Sequence, residues 1–375
     1  MSVAARPKIL RTDTEVRIGE DDLARLATLA EVVTPPAWDE ETLAAAAVGA
    51  DLIVHSFFPT ISARVIEASD TLKAIVKYGV GVDNIDIDAA TRRNVMVINC
   101  PEYGSETVAD HAFALMICLA RRIVQIDRAT KDTAWVWPAP EFIGIDFFAK
   151  TLGLIGFGNI GRAMCRRAAG FGMERIYCDP YVPGESVAEY GARAVSLEEL
   201  LERSDFVSIH CVLTPETRGL IGEAELRRLK DTAYLIDVSR GAIIRQPALL
   251  RALSEGWIAG AGLDVFPVEP LTADDPLLRM DNVLLTSHLA WYTVEADERL
   301  AKECMARVIE VLEGPIMAVD CLDETNGCAK DGGCAQSEMW AAVRDAIVGV
   351  LSSTTIADLA ERDKLAQPGG TRYII

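Results

Sequence analysis

The sequence predicts an α/β protein built on doubly wound parallel sheets. Short apolar segments, typical of buried parallel strands, alternate with helical stretches over most of the chain. Such alternation is the pattern of a sheet with helices on both faces. A glycine-rich turn at residues 156–161 joins one of these strands to a helix. The length of 375 residues is enough for two domains of ordinary size.

Composition and charge exclude several classes of protein. Hydrophobic residues make up 50% of the chain and charged residues 25%, which is typical of a globular fold and not of a disordered one. The formal net charge of −19 disfavours nonspecific binding to nucleic acid or to anionic lipid. We therefore expect no direct nucleic-acid partner and no membrane partner, and an anionic substrate needs a locally positive pocket.

The sequence also indicates a cytoplasmic location. The N-terminal segment lacks the apolar core of a secretory signal, and no segment reaches the roughly 18 apolar residues of a membrane span. Nine cysteines, an odd number, suit a reducing compartment. Cys321, Cys328 and Cys334 are separated by 7 and 6 positions, unlike the common zinc-binding pairs, so no metal is expected.

The predicted elements fall into two groups. The first has strands at residues 51–55, 73–76 and 95–98, and helices at 60–69 and 86–93. A long helix at 105–128 follows, with Ser105 as its N-cap. The second group has strands at residues 152–156, 175–178, 206–210, 234–237, 260–265 and 283–286. A helix at 294–312 is predicted to return the chain to the first domain.

Two segments have no assigned role. Residues 134–148 contain two Trp, two Pro and three Phe. They either pack on their own domain or form a dimer contact, because aromatic residues are enriched at interfaces. Residues 323–337 are polar and glycine-rich like a linker, and apolar residues recur at helical spacing from 340 to 360. This C-terminal extension either packs on the body or mediates assembly.

The glycine-rich turn is typical of a dinucleotide-binding site. Gly156 allows a tight turn, Gly158 lets the backbone approach a pyrophosphate, and Gly161 allows close packing of helix on strand. Asn159 and Ile160 begin the helix, whose N-terminal amides face the phosphates. The glycine pattern alone is weakly specific, but the strand before it and the helix after it support the prediction.

Asp179 is the predicted ribose-binding residue. It ends the next strand, 18 positions after Gly161 (179 − 161), near the roughly 20 expected for this role. Its carboxylate would accept hydrogen bonds from the ribose hydroxyls and repel a 2′-phosphate, which favours NAD over NADP. The alternative is that Asp179, followed by Pro180, only begins a turn.

Arg240, Glu269 and His288 are the candidate catalytic residues. Arg240 and His288 each follow a predicted strand, at the carboxyl edge where α/β proteins bind ligands. A guanidinium can bind a carboxylate through two hydrogen bonds, and an imidazole can protonate a carbonyl oxygen as hydride arrives. Glu269 can orient the imidazole and stabilise its charged form. Each residue alone has a structural interpretation, but together with the glycine turn they predict NAD-dependent hydride transfer.

Four motifs resemble the D-isomer-specific 2-hydroxyacid dehydrogenase family. They are Lys77-Tyr-Gly-Val-Gly-Val-Asp-Asn-Ile-Asp86, Asp237-Val-Ser-Arg-Gly241, Gly262-Leu-Asp-Val-Phe-Pro-Val-Glu-Pro270 and Ser287-His-Leu-Ala-Trp-Tyr292. The resemblance implies two Rossmann-like domains, with an NAD domain at 105–292 inserted into a split substrate domain at 1–104 and 293–320. Residues 321–375 then form an extension of unknown role. Members of the family are commonly homodimers through the NAD domain.

The resemblance also implies roles for individual residues. Arg240 binds the substrate carboxylate together with the amides of Gly79 and Val80, and His288 with Glu269 forms the acid–base pair. The residues implied to contact the cofactor are Thr107, Val238 and Asp264, the last through the nicotinamide amide. The residues expected around the substrate side chain are His55, Tyr78 and Trp291.

Some motif positions depart from the family's usual pattern. Asp237 stands where Asn is usual, Ser287 and Val212 where Pro is usual, and Asn159 where Arg often stands. None of these differences removes a catalytic group. In pattern the chain is most similar to the branch of C-terminal-binding proteins and phosphoglycerate dehydrogenases, and Trp291 either lines the acyl pocket or packs in the core.

The predicted function is NADH-dependent reduction of a 2-keto acid to a D-2-hydroxy acid. One alternative is oxidation of a phosphorus acid such as phosphite, for which His55, Lys77 and Arg64 are candidate basic residues. Another is an NAD-sensing corepressor-like protein without required turnover. The substrate side chain is left open, although a phosphoglycerate is less favoured because no pair of arginines lies near His55.

Overall fold

The computed structural model describes residues 6–12 and 20–313, together with residues 339, 342, 343 and 346. Residues Met1–Met305 form one compact unit, and a second unit begins at Ala306. Both sheets lie within the first unit. Cys321, Cys328, Cys334 and most of the helical pattern predicted for 340–360 lie outside the described residues.

A five-stranded parallel sheet occupies the N-terminal part of the chain. Its strands are β1 (Lys8–Arg11), β2 (Glu31–Val33), β3 (Leu52–His55), β4 (Ala74–Lys77) and β5 (Met96–Ile98). They lie in the order β2-β1-β3-β4-β5. The intervening helices are α1 (Glu20–Leu29), α2 (Glu40–Ala47), α3 (Ala63–Glu67) and α4 (Ile87–Arg92). The three strands predicted here are confirmed to within one residue, whereas β1 and β2 were not predicted.

Local chemistry explains several of these boundaries. All four residues of β3 and of β4 are buried, as expected for central parallel strands. Asp39 caps α2 by accepting a hydrogen bond from the amide of Thr42 at 2.9 Å. Asp86 caps α4 in the same way through the amide of Ala89 at 2.8 Å.

Two helices, and not one, join the two sheets. They are α5 (Ser105–Ala120) and α6 (Ile123–Thr133), so the prediction of a single helix over 105–128 is wrong. Arg122 adopts a left-handed conformation with φ of +54°, which interrupts the helical hydrogen bonding. The residue at the N-cap position of α5 is Gly104 and not Ser105. Helix α5 buries half its residues, whereas α6 buries none, so the break lies where the chain leaves the core.

A seven-stranded parallel sheet follows the first sheet along the chain. Its strands are β6 (Thr151–Ile155), β7 (Glu174–Cys178), β8 (Arg193–Ala194), β9 (Phe206–Ile209), β10 (Tyr234–Asp237), β11 (Gly260–Leu263) and β12 (Val283–Leu285). Its helices are α7 (Asn159–Gly170), α8 (Leu197–Arg203), α9 (Glu223–Leu226) and α10 (Gln246–Ser254), followed by α11 (Val294–Glu313). The doubly wound α/β prediction is confirmed, and each predicted strand of this group is present with a shift of at most two residues.

The strand order of the second sheet places the candidate site. The order is β12-β11-β10-β9-β6-β7-β8, so the chain winds away from β6 in both directions. Ligands of open α/β sheets bind at the carboxyl ends of the strands beside such a switch point. The glycine-rich turn at 156–161 follows β6 directly, and it therefore lies at this position.

Among the described residues, no helix is both long and apolar enough to cross a membrane. The same residues contain no group of three or more His, Cys, Asp or Glu side chains arranged to hold a metal ion.

Candidate active site

The glycine-rich turn is shaped by close backbone contacts. Gly156 has φ of +93°, and a Cβ atom at this position would lie 2.6 Å from the amide nitrogen of Cys211. A Cβ at Gly161 would collide with the carbonyl oxygen of Gly156. Both positions therefore require glycine, because any side chain would push the turn away from β9 or from helix α7.

Gly158 has a different environment, which indicates what the turn can bind. No heavy atom lies within 4 Å of the position that its Cβ would occupy. Gly158 is the N-cap of α7, and Asn159 and Ile160 form the first helical residues. Open space over a helix N-terminus suits an anion held by backbone amides, so these residues fit a dinucleotide pyrophosphate.

Asp179 is linked directly to the glycine turn. Its Oδ2 accepts a hydrogen bond from the amide of Phe157 at 2.8 Å, and its Oδ1 accepts one from the amide of Tyr181 at 2.9 Å. The second contact is the turn predicted as the alternative for Asp179. The first places the carboxylate beside the cofactor loop. The two interpretations are therefore compatible, because a half-buried carboxylate has further lone pairs for a ribose.

His288 and Glu269 form a hydrogen-bonded pair. Nδ1 of His288 lies 2.7 Å from Oε2 of Glu269, and Oε1 of Glu269 accepts from the amide of Phe266 at 2.8 Å. Burial opposes ionisation of Glu269, but His288, Phe266 and Arg240 together hold the pKa of this carboxyl below its usual value. An ionised carboxylate can only accept hydrogen bonds, so Nδ1 of His288 is the protonated donor to Glu269. Nε2 of His288 is then the nitrogen that can contact a substrate.

Asp264 holds the backbone around His288. This side chain is completely buried. Its Oδ1 accepts from the hydroxyl of Thr286 at 2.6 Å and from the amide of Leu289 at 2.9 Å, and its Oδ2 accepts from the amide of Ala290 at 2.9 Å. The amide of His288 also donates to the carbonyl of Asp264 at 2.7 Å.

These contacts stabilise His288 in a left-handed conformation with φ of +57°, which is unusual for a residue other than glycine. The contact of Asp264 with the nicotinamide amide stays a prediction. His111 extends the network, since its Nε2 lies 2.9 Å from the hydroxyl of Thr286. The roles of Thr286 and His111 were not predicted, because no local pattern in the sequence distinguishes them.

Arg240 lies where the two sheets approach each other. Its Nε donates to Oδ1 of Asp83 at 2.9 Å, and its Nη1 donates to the carbonyl of Ser239 at 2.8 Å. A Cβ at Gly81 would collide with Nη2 of Arg240, so the guanidinium lies against this glycine. Asp83 was not predicted as a site residue, although it belongs to the motif that resembles the family.

The loop after β4 carries the predicted carboxylate-binding amides. Gly79 has φ of +138°, and its carbonyl accepts from the amide of Cys100 at 2.9 Å. The carbonyl of Val80 accepts from Nδ2 of Asn99 at 2.8 Å. Since Gly81 of the same loop touches Arg240, the structure brings Gly79 and Val80 close to the guanidinium. Their binding of a substrate stays a prediction.

The predicted substrate-pocket residues are placed differently from one another. Tyr78 and Trp291 line a cavity of about 960 Å³ that His288 also lines. His55 is not among the lining residues, because it is completely buried with its Nδ1 2.9 Å from the hydroxyl of Thr12. Burial, reinforced by the nearby Lys77 ammonium, lowers the pKa of His55 to about 2. His55 is therefore neutral and structural in this arrangement.

Phe57 is a site residue that the sequence did not predict individually. Its ring centroid lies 5.3 Å from that of His288 in an edge arrangement and 5.7 Å from that of Trp291. Phe57 follows β3 of the first sheet, whereas the other two residues follow β12 of the second.

Two further residues were predicted to contact the cofactor. The hydroxyl of Thr107 accepts a hydrogen bond from Nη2 of Arg299 at 3.1 Å, and Val238 is buried directly after β10.

A glycine turn at the switch point of a parallel sheet, with an imidazole–carboxylate pair nearby, defines a dinucleotide-dependent oxidoreductase. Residues 113–290 match the family described as D-isomer specific 2-hydroxyacid dehydrogenase, NAD binding domain. A glyoxylate reductase of Korarchaeum cryptofilum is 46% identical over 268 residues, which are 71% of this chain and 81% of the relative. The chain belongs to the D-isomer-specific 2-hydroxyacid dehydrogenase family.

Other similarities agree with this assignment. A D-3-phosphoglycerate dehydrogenase of Mycobacterium leprae is 34% identical over 364 residues, 95% of this chain and 68% of the relative. The structure of a D-lactate dehydrogenase from Aquifex aeolicus, complexed with NAD and lactic acid, has a TM-score of 0.75 at 29% identity and covers 82% of this chain and 96% of that one. Residues 299–362 also match a family described as Rrf2, iron-dependent transcriptional regulator, mostly beyond the described residues.

The chain is thus an NAD-dependent oxidoreductase that interconverts 2-keto acids and D-2-hydroxy acids, as the family and its named relatives establish. The predicted cofactor, NAD, and the predicted enzyme class are confirmed at this level. Structures similar to this one have been obtained with NAD and with NADPH.

Proposed function

We propose that the chain reduces a 2-keto acid with NADH, with His288 as the proton donor and Arg240 as the anchor of the substrate carboxylate. The 2.7 Å hydrogen bond between His288 and Glu269 is the observation that carries this proposal. It leaves one imidazole nitrogen for the substrate while an anion stabilises the charged ring. Arg240 is close enough to this pair to act on the pKa of Glu269.

The residues divide the chemistry between them. NADH, when bound, supplies the hydride. Arg240 and the amides of Gly79 and Val80 hold the carboxylate of the substrate, which orients the adjacent carbonyl. Nε2 of His288 delivers its proton to the carbonyl oxygen, and it takes the proton back in the reverse direction.

Glu269 keeps the ring of His288 in one orientation through the hydrogen bond to Nδ1. Asp264 and Thr286 act on the same ring indirectly, because they fix the backbone that carries it. The Arg240 guanidinium supplies the locally positive region that an anionic substrate needs on a chain of net charge −19.

Asp179 supports a preference for NADH over NADPH. Its carboxylate is bonded to the amide of Phe157 in the glycine turn. A negative charge beside the adenosine ribose repels a 2′-phosphate, whereas ribose hydroxyls can donate to it. We propose that Asp179 makes both contributions.

The test is NADH oxidation, followed by absorbance, with a panel of 2-keto acids and with the His288→Ala variant. Turnover that depends on His288 would support the proposal. Measurable NADH binding without turnover of any 2-keto acid would reject it and favour a phosphorus-acid substrate or an NAD-sensing binding protein.

We further propose a cytoplasmic homodimer. Between α6 and β6 the side chains of Trp135, Trp137, Ile143 and Phe148 are between 66% and 79% exposed. Large exposed aromatic side chains such as these, with Trp135 and Trp137 in contact at 6.0 Å between ring centroids, are typical of an interface. Light scattering of the wild type and of a Trp135→Ser, Trp137→Ser variant tests the dimer, and a monomeric wild type would reject it.

The proposed cytoplasmic location agrees with the state of the cysteines. The six cysteines in the described part of the chain are all unpaired, as expected in a reducing compartment.

A further inference from the structure

The cavity beside His288 has an aromatic wall. Its volume is about 960 Å³, and Phe57, Phe58, Trp291 and Tyr292 are among its lining residues. Trp291 contacts both Phe57 and Tyr292, with ring centroids 5.7 Å and 5.1 Å apart, respectively. These mutual contacts fix the rings, so the wall is a preformed apolar surface.

Aliphatic side chains also line the cavity. They are those of Leu271, Leu278, Leu285 and Leu289. The ionisable groups on the lining are Glu269, His288 and two tyrosines, and the described lining contains no Lys or Arg. A phosphate or a second carboxylate placed here would have no Lys or Arg partner, and the imidazole of His288 is already paired with the Glu269 carboxylate. Desolvation of such an unpaired anion is strongly unfavourable.

The position of the cavity relative to the reacting groups indicates what enters it. A 2-keto acid has three substituents on its carbonyl carbon: the oxygen, the carboxylate and the side chain. The oxygen must meet His288, which lines the cavity. The carboxylate must meet Arg240 and the loop at Gly79 and Val80, and none of these three residues lines it. Tyr78, the residue before Gly79, does line it. The third substituent therefore extends from between Tyr78 and His288 into the cavity.

We propose that this cavity selects 2-keto acids whose side chain is large, apolar and uncharged, of the aryl or branched-alkyl class. The inference rests on the proposed reductase function. It differs from what the names of two of the relatives suggest, since glyoxylate has no side chain and phosphoglycerate carries an anionic one. A hydrogen atom or a methyl group would leave most of the cavity unfilled.

The expected preference is large enough to measure. One additional methylene group in an apolar pocket changes kcat/KM by roughly 10-fold or more. We expect kcat/KM for phenylpyruvate and for the keto acid of leucine to exceed that for pyruvate by at least about 10-fold. Oxaloacetate and phosphohydroxypyruvate should be poorer than pyruvate.

Steady-state kinetics with these substrates and glyoxylate separate the two levels of the proposal. If glyoxylate, pyruvate or an anionic substrate is preferred, the selectivity is wrong and the reductase function stands. If none of the 2-keto acids is reduced, the reductase function itself fails. A preference for the two bulky substrates supports the selectivity.

A matched pair of variants tests whether the cavity is responsible. Leu278 lines it and is 50% exposed, so Leu278→Arg can be introduced without burying the new charge completely. Val294, 74% exposed and outside the lining, provides the control Val294→Arg. We expect Leu278→Arg to lower the ratio of kcat/KM for phenylpyruvate to that for oxaloacetate by at least about 10-fold, with no such change in the control. An unchanged ratio in a Leu278→Arg protein with wild-type melting temperature would overturn the inference.

Discussion

Nε of Arg240 donates a hydrogen bond to Oδ1 of Asp83 at 2.9 Å, and this bond connects the two sheets. Asp83 follows β4 of the first sheet, and Arg240 follows β10 of the second. Burial alone would raise the pKa of Asp83, but the charge and hydrogen bond of Arg240 hold it below its usual value. Asp83 therefore stays charged and orients the residue that we propose as the carboxylate anchor.

We expect Asp83→Ala to raise KM for the 2-keto acid by roughly 10-fold, with a smaller effect on kcat, because a freely rotating guanidinium binds a carboxylate less well. Asp83→Asn keeps an acceptor at the same place and should restore much of the affinity. Steady-state kinetics of the two variants checks this. An unchanged KM in the alanine variant would show that Asp83 does not position Arg240.

His288→Ala should lower kcat by roughly 10²–10⁴-fold, which is the usual contribution of a general acid or base. NADH binding, measured by fluorescence titration, should change little, because His288 is not part of the glycine turn that is expected to hold the pyrophosphate. A near-normal kcat would mean that another group transfers the proton.

Asp179→Asn should weaken NADH binding and strengthen NADPH binding relative to it, since the variant removes the charge that repels a 2′-phosphate. Asparagine can still accept the hydrogen bond from the amide of Phe157, so the glycine turn keeps its support. Calorimetric titration with both cofactors measures the ratio. If the preference between the two cofactors is the same as in the wild type, Asp179 does not contact the ribose.

Asp237 makes stability depend on pH. The side chain is completely buried, and Oδ1 accepts from the amide and the hydroxyl of Ser239, while Oδ2 has no hydrogen-bond partner among the described residues. Burial raises the pKa of Asp237 to about 7, although Ser239 and Arg240 act in the opposite direction. The other ionisable groups acting on this cluster are Asp264 and the thiol of Cys211, whose pKa burial raises to about 12.

The folded protein holds the Asp237 proton more tightly than the unfolded chain, in which an aspartate titrates near pH ~4. The contribution of protonated Asp237 to the free energy of unfolding is therefore complete below that pH. It falls by up to about 1.4 kcal/mol per pH unit as the pH rises, and it is lost by about pH 7. Asp237→Asn cannot ionise, and Asn is usual at this position in the family. The melting temperature of the wild type should therefore decrease relative to that of the variant between pH 5 and pH 8, and parallel curves would contradict the assignment.

Strand ends and the residues that follow them were predictable. Arg240 and His288 follow β10 and β12 as expected, because continuous apolar runs of four or five residues define buried parallel strands. The turn at Gly156 was predictable because its conformational requirement belongs to a single residue. In contrast, the end of α5 at Ala120 depends on where the helix leaves the core, and the local helical pattern continues through it.

The sequence by itself therefore determined the parallel α/β architecture and the dinucleotide turn, because both depend on periodicity and spacing within short segments. It also predicted His288 and Glu269 as the acid–base pair, from the motifs that contain them. Only the tertiary structure decided that Asp83 holds Arg240, 157 positions away, and that Phe57 packs against His288 to begin an apolar cavity. Both contacts join segments from different sheets. The packing of the whole fold decides which residues meet there, and no local sequence pattern predicts it.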